Sequence, residues 1–150
     1  MYLYLVRHGE ADPGDPMKPL SSHGRREVER TASYLSSLEV HSIFHSSKLR
    51  AAQTAEVFTE YVKPAEGPAE KDGLAPLDDP KIWADRLDVV VDATMLVGHL
   101  PHMSRLASSL ITGDPDRAAF DFGPASVVCL RRRDDGRWAV QWMLGPDLVR

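Results

Sequence analysis

The stretch Tyr2-Leu3-Tyr4-Leu5-Val6-Arg7-His8-Gly9-Glu10 decides the fold. Its first five residues are a continuous β-prone apolar run, the pattern of a strand covered on both faces. The run stops abruptly at Arg-His-Gly-Glu, so a buried strand ends in polar chemistry. Two later segments resemble it: Ile43-Phe44-His45-Ser46, and Ala93-Thr94-Met95-Leu96-Val97-Gly98-His99. Between and after them the period changes to that of helices. Ser21 or Ser22 is placed to cap a helix with Val28, Ala32, Leu35 and Leu38 on one stripe. A second helix is expected from Leu49 to Val62, stopped by Pro64, a short one from Lys81 to Leu87, and one after Pro101 with Met103, Leu106, Ala107, Leu110 and Ile111 inward and Gly113 at its end. Ala125–Leu130 and Trp138–Leu144 read as a hairpin around Asp134-Asp135-Gly136. Strand and helix alternating, then a hairpin, predict an α/β fold with a mixed sheet flanked by helices.

The chain has 150 residues, enough for one domain, 1–150. With 43% hydrophobic and 27% charged residues it has the composition of a folded globular protein. A net charge of -4 lacks the basic excess that a nucleic-acid backbone demands, so no polynucleotide partner is expected. No apolar run nears the roughly 20 residues of a membrane span, and Met1–Val6 meets Arg7 too soon for a signal-peptide core. The single cysteine, Cys129, excludes an internal disulfide and reads as a small core hydrophobe; the expected location is the cytoplasm. Trp138 and Trp142, four apart, are expected on one strand face as core cover, and Arg131-Arg132-Arg133 as a solvated hairpin end. The segment from Pro64 to Pro80, rich in proline and acid, is the least ordered-looking connection, with at most one short strand.

In open α/β sheets ligands gather beyond the carboxyl ends of the strands, which places Arg7, His8 and His99, with Arg50 one turn into a helix, on one rim. Guanidinium makes bidentate bonds to phosphate oxygens and imidazolium adds a charged donor, leaving a histidine to attack. Taken singly each residue has a structural reading too: a strand-end arginine also serves to pair with Glu10 or Glu56. His99, His102 and His8 lack the acidic or thiolate partner that would complete a metal set, so no metal and no cofactor are expected.

In combination, Arg7-His8-Gly9-Glu10 after an N-terminal strand resembles the Arg-His-Gly signature of the histidine phosphatase superfamily. Pro19-Leu20-Ser21-Ser22-His23-Gly24 is similar to the family's Leu-Thr-x-x-Gly helix start, Ser46-Ser47-Lys48-Leu49-Arg50-Ala51-Ala52-Gln53-Thr54-Ala55 to its Ser-x-x-x-Arg-Ala-x-x-Thr segment, and Val97-Gly98-His99-Leu100-Pro101 follows in order. The short length and the late Gln141-Trp142-Met143 with Pro146 look most like the SixA-type phosphohistidine phosphatases. The resemblance implies a phosphoglycerate mutase-like, single-domain three-layer sandwich with a mostly parallel sheet. It implies His8 as nucleophile, forming a phosphohistidine intermediate, with Arg7, Arg50 and His99 as the phosphate pocket and a phosphohistidine-bearing protein as substrate. Many relatives place a general acid in a Glu-Leu pair after the third strand; here the matching pair is Gly73-Leu74. Asp72, Asp78 and Asp79 are close enough in sequence to substitute for it.

Overall fold

The computed structural model describes residues 1–117 and 119–149. Its strands are β1 (Tyr2–Arg7), β2 (Ser42–His45), β3 (Glu66–Glu70), β4 (Thr94–Gly98), β5 (Val127–Arg132) and β6 (Trp138–Leu144). Its helices are α1 (Ser22–Tyr34), α2 (Leu49–Val62), α3 (Lys81–Leu87) and α4 (His102–Thr112). They form one six-stranded sheet in the order β3-β2-β4-β1-β5-β6. β3, β2, β4 and β1 pair in parallel, whereas β5 runs antiparallel to both β1 and β6. The structure thus has the expected α/β architecture, a mixed and mostly parallel sheet between two helical layers.

The apolar run of β1 shows why the sheet is buried on both sides. Tyr4 and Val6 join a core with Val28, Ala32, Ile43, Phe58, Met95 and Val97, under α1 and α2. Leu3 and Leu5 join the opposite core with Trp83, Leu87, Leu96, Met103 and Leu106, under α3 and α4. Burying a Leu or Val fully is worth roughly 1.5–3 kcal/mol, and a one-residue slip would exchange the two faces. The register Arg7↔Gly98 between β1 and β4 is therefore fixed by packing, and it aligns the two strand exits that carry histidines.

Local signals set the helix ends. Ser21 caps α1, its Oγ accepting from the Gly24 N–H at 2.9 Å. Gly113 ends α4 in the left-handed conformation at φ 79°, where a glycine bears no side-chain penalty. The Pro64–Pro80 connection does contain a short strand, β3, and is closed near its end by the Asp78 side chain.

Two expectations at the hairpin are corrected. Trp138 and Trp142 lie on opposite faces, because the β5–β6 register shifts between Cys129 and Leu130: Cys129 faces Trp142 but Leu130 faces Val140. Gln141 is the extra residue of this bulge, and it reverses the alternation that four-residue spacing would otherwise preserve. Trp142 packs on the α1/α2 side, 6.1 Å from the Tyr4 ring, and Trp138 on the α3/α4 side. Nor is the Arg131–Arg133 run wholly solvated: Arg132 donates through Nη1 to the Leu87 carbonyl and through Nη2 to that of Val90 at 2.8 Å, satisfying acceptors at the end of α3. Cys129 is buried as expected, and burial pushes its thiol up to about 11.

Candidate active site

The parallel register of β1 and β4 puts the next residues, His8 and His99, side by side: their ring centroids are 4.8 Å apart at an interplanar angle of 54°. The His8 N–H donates to the Gly98 carbonyl at 3.0 Å, extending the ladder by one bond beyond the strands. Arg7 is the last residue of β1, and Arg50 the second residue of α2, which leaves β2 on the other side of β4. The structure brings all four expected residues to the same sheet edge.

His8 Nδ1 lies 2.6 Å from the Gly9 carbonyl oxygen. A carbonyl only accepts, so Nδ1 carries the proton and Nε2 is left with its lone pair. Burial, with the Arg50 and Arg7 charges nearby, lowers the His8 pKa to about 4 against the pull of the Gly9 bond. His8 is thus a neutral imidazole at pH 7 with one fixed tautomer. Sequence left this orienting partner open; it is the neighbouring backbone carbonyl.

His99 is buried, with Nε2 2.6 Å from Ser46 Oγ. The same Ser46 oxygen accepts from the Lys48 N–H at 3.3 Å. Burial, followed by the influence of His8, Arg50 and Lys48, lowers the His99 pKa to about 3. The imidazolium expected from sequence is therefore a neutral imidazole, and the positive charge of the site comes from Arg7 and Arg50. Arg7 donates through Nη1 to the Phe122 carbonyl at 3.0 Å. Arg7 Nε and His99 Nδ1 are buried without a hydrogen-bond partner among the described residues. An unpaired buried polar group costs about 1–3 kcal/mol, and an arriving oxyanion would satisfy the guanidinium N–H directly.

The supporting residues were only partly legible. Thr54 Oγ1 accepts from the Gly9 N–H at 3.1 Å and donates to the Arg50 carbonyl at 2.8 Å, clamping the β1 exit to the helix that bears Arg50. Its place one turn after Arg50 was the available signal. Gln53 Oε1 accepts from the Leu20 N–H at 2.7 Å, so α2 also holds the end of the 11–20 loop. A Cβ on Gly9 would lie 2.6 Å from Val28 Cγ2, and one on Gly24 2.2 Å from the Glu10 oxygen. These two glycines let α1 press against the His8 turn. Phe122 enters from a loop 115 residues after Arg7, and no local pattern marks it.

The three acids near Gly73-Leu74 part company. Asp72 pairs with Arg86 at 2.8 Å, Asp79 Oδ1 accepts from the Lys81 N–H, and Asp78 Oδ2 accepts from the Ala75 N–H. Gly73 sits at φ +80°, and a Cβ there would lie 2.9 Å from Ile82 Cγ2 and 3.1 Å from Trp83 Cδ1. No side chain fits at that position without displacing the α3 residues. Among the described residues no group of three His, Cys, Asp or Glu side chains is arranged to hold a metal ion, and no helix is long and apolar enough to cross a membrane.

Residues 3–75 match the family model of the histidine phosphatase superfamily (branch 1). No curated protein matches the chain in sequence. Among solved structures, the protein histidine phosphatase SixA complexed with tungstate is 23% identical, with 98% of each chain covered and a TM-score of 0.86. The alpha-ribazole phosphatase from Shigella flexneri is 14% identical, with 97% of each chain covered and a TM-score of 0.82. A mycobacterial glucosyl-3-phosphoglycerate phosphatase in complex with VO3 is 17% identical over 94% of this chain and 97% of its own, with a TM-score of 0.77. The family match over the first half of the chain and the fold shared with these structures together support a phosphatase as its enzymatic class.

Proposed function

We propose that the chain is a phosphohistidine phosphatase that removes the phosphoryl group from a histidine of another protein in the cytoplasm. The observation that carries this reading is Gly73. Where relatives carry a general acid, the left-handed backbone and the packing of Ile82 and Trp83 leave no room for a side chain. An alkoxide leaving group is a strong base and needs a positioned proton, whereas imidazole, with an unperturbed pKa of about 6.5, leaves readily near neutral pH. A site without an acid at that position suits a phosphoramidate. The similarity to the SixA structure, described as a protein histidine phosphatase, points the same way.

In this reading Nε2 of His8 attacks phosphorus in line with the departing imidazole nitrogen; the substrate P–N bond breaks as the His8 P–N bond forms. The Gly9 carbonyl holds the ring in the attacking tautomer throughout. Arg7 and Arg50 neutralise the charge on the equatorial phosphoryl oxygens, and His99, oriented by Ser46, contributes a neutral donor. Water then displaces His8 from phosphorus and releases phosphate.

The test is phosphate release from a phosphohistidine-bearing protein beside a phosphoserine peptide and an aryl phosphate, with wild type and His8→Ala. The expected result is that phosphohistidine is cleared fastest and that His8→Ala is inactive on it. Preference for the aryl phosphate or the phosphoserine peptide would overturn the substrate assignment and favour a phosphomonoester substrate, as in the alpha-ribazole and glucosyl-3-phosphoglycerate phosphatases.

A further inference from the structure

Three neighbouring parallel strands carry polar side chains just past their ends, in one row. β2, β4 and β1 lie side by side, with His45 paired to Val97 and Val97 to Val6. The first residues beyond them are Ser46, His99 and His8. The Ser46 N–H donates to the Val97 carbonyl at 3.2 Å, so the β2–β4 ladder runs one bond past β2 and fixes the Ser46 backbone. Ser46 and His99 are both 2% exposed. Ser46 Oγ lies 2.6 Å from His99 Nε2, and the His99 ring stands 4.8 Å from the His8 ring. Ser46 therefore reaches the nucleophile through one intervening imidazole.

The hydrogen-bond inventory decides which partner donates. A hydroxyl has one proton to give and accepts through its lone pairs. Ser46 Oγ already accepts from the Lys48 N–H at 3.3 Å, and its other partner among the described residues is His99 Nε2. Were Nε2 protonated, Ser46 would accept twice and its own proton would be buried without an acceptor, a costly arrangement. With Ser46 donating, that proton is placed, and the neutral ring must carry its single proton on Nδ1. Burial keeps the ring neutral. Nδ1–H is then a buried donor with no acceptor among the described residues. A phosphoryl oxygen at the neighbouring His8 would supply that acceptor. The two histidines thus share a tautomer but use opposite ends of it: His8 offers the Nε2 lone pair, and His99 offers the Nδ1 proton.

We propose that Ser46 is a positioning residue, donating its hydroxyl proton to His99 Nε2 and so fixing His99 Nδ1–H as the hydrogen-bond donor to the phosphoryl group. This deepens the reading of the site given above and rests on it. No proton is transferred in this role; Ser46 selects which ring nitrogen carries one. Without the hydroxyl the ring is free to adopt the Nε2–H form, which leaves a lone pair at Nδ1 where the phosphoryl oxygens require a donor.

The experiment is ¹⁵N NMR of the histidine rings at pH 7 with inorganic phosphate bound, on wild type, Ser46→Ala, Ser46→Thr and Ser47→Ala, beside kcat/KM on a phosphohistidine-bearing protein. Wild type is expected to show His99 protonated at Nδ1 and bare at Nε2. Ser46→Ala is expected to populate both tautomers and to lose roughly 10- to 10²-fold in kcat/KM. Ser46→Thr, which keeps the hydroxyl, is expected to restore the single tautomer and activity to within a few-fold; Ser47, exposed beside it, is expected to tolerate alanine unchanged. A wild-type spectrum with Nε2 protonated would overturn the proposal whatever the variants do. So would Ser46→Ala with the wild-type tautomer, or with wild-type turnover. The spectra do not depend on which substrate is cleaved: Nδ1–H in wild type that is lost in Ser46→Ala upholds the role of Ser46 even if phosphohistidine is not cleared, a result that would overturn the substrate reading alone.

Discussion

At the scale of single residues, the environment of His8 decides what the site is able to do. Its neutrality comes from burial and from two neighbouring guanidinium groups, and its tautomer from a single carbonyl. NMR titration of the imidazole is expected to show Nε2 unprotonated from pH 7 down toward pH 5, with the transition near 4. A His8 titration at 6.5 would contradict that electrostatic picture. Arg7→Ala and Arg50→Ala are each expected to lower phosphohistidine turnover about 10²- to 10³-fold, by analogy with loss of an oxyanion donor, while leaving the fold intact. These residues were legible in the sequence because each stands just beyond a strand exit or inside a quoted motif. The neutrality of His99 was not legible, since it depends on how deeply residues from β1, β2 and α2 enclose it.

At the scale of elements, periodic segments with strong stops were legible to their ends. α2 runs from Leu49 to Val62 and α3 from Lys81 to Leu87, the bounds that apolar spacing and flanking prolines gave. The β6 alternation was misread, because a bulge is a property of a strand pair and Gln141 carries no mark of it in its own chain. Deleting Gln141 closes the bulge while leaving Trp138 and Trp142 three apart on their present opposite faces, so it is expected to cost no more than about 1 kcal/mol in urea unfolding. A loss of roughly 3 kcal/mol or more would contradict this register, since it would mean that Trp142 had left its face. Gly73→Ala is expected to destabilise by about 1 kcal/mol or more, since it strains φ and crowds Ile82. A neutral effect in the same assay would remove the steric basis for excluding an acid there.

At the scale of the whole molecule, the three-layer order was legible from alternation alone, while long-range ties such as Arg7 to Phe122 and Arg132 to the end of α3 required the folded chain. The fold also buries His99 and His102 and partly buries His8, and the pKa values of His8, His99 and His102 fall to about 4, 3 and 4. Each binds its proton more weakly in the folded than in the unfolded chain. Stability should therefore fall as pH drops from about 6.5 toward 4, by at most roughly 3 kcal/mol per histidine, and vary little from this cause above 7. Thermal unfolding between pH 7 and 4 is expected to show a falling Tm, with His102→Gln less steep; a flat Tm over that range would count against buried neutral imidazoles. The central claim is that the rim of β1, α2 and β4 carries a phosphoryl group covalently on His8. It is tested most directly by mapping the phosphoryl group by mass spectrometry after alkaline quench with a phosphohistidine-bearing protein. The expected result is one added phosphoryl group, stable to alkali and labile to acid, on the peptide containing His8. A phosphoryl group on any other residue would contradict it, as would turnover with no phosphoryl group on the protein.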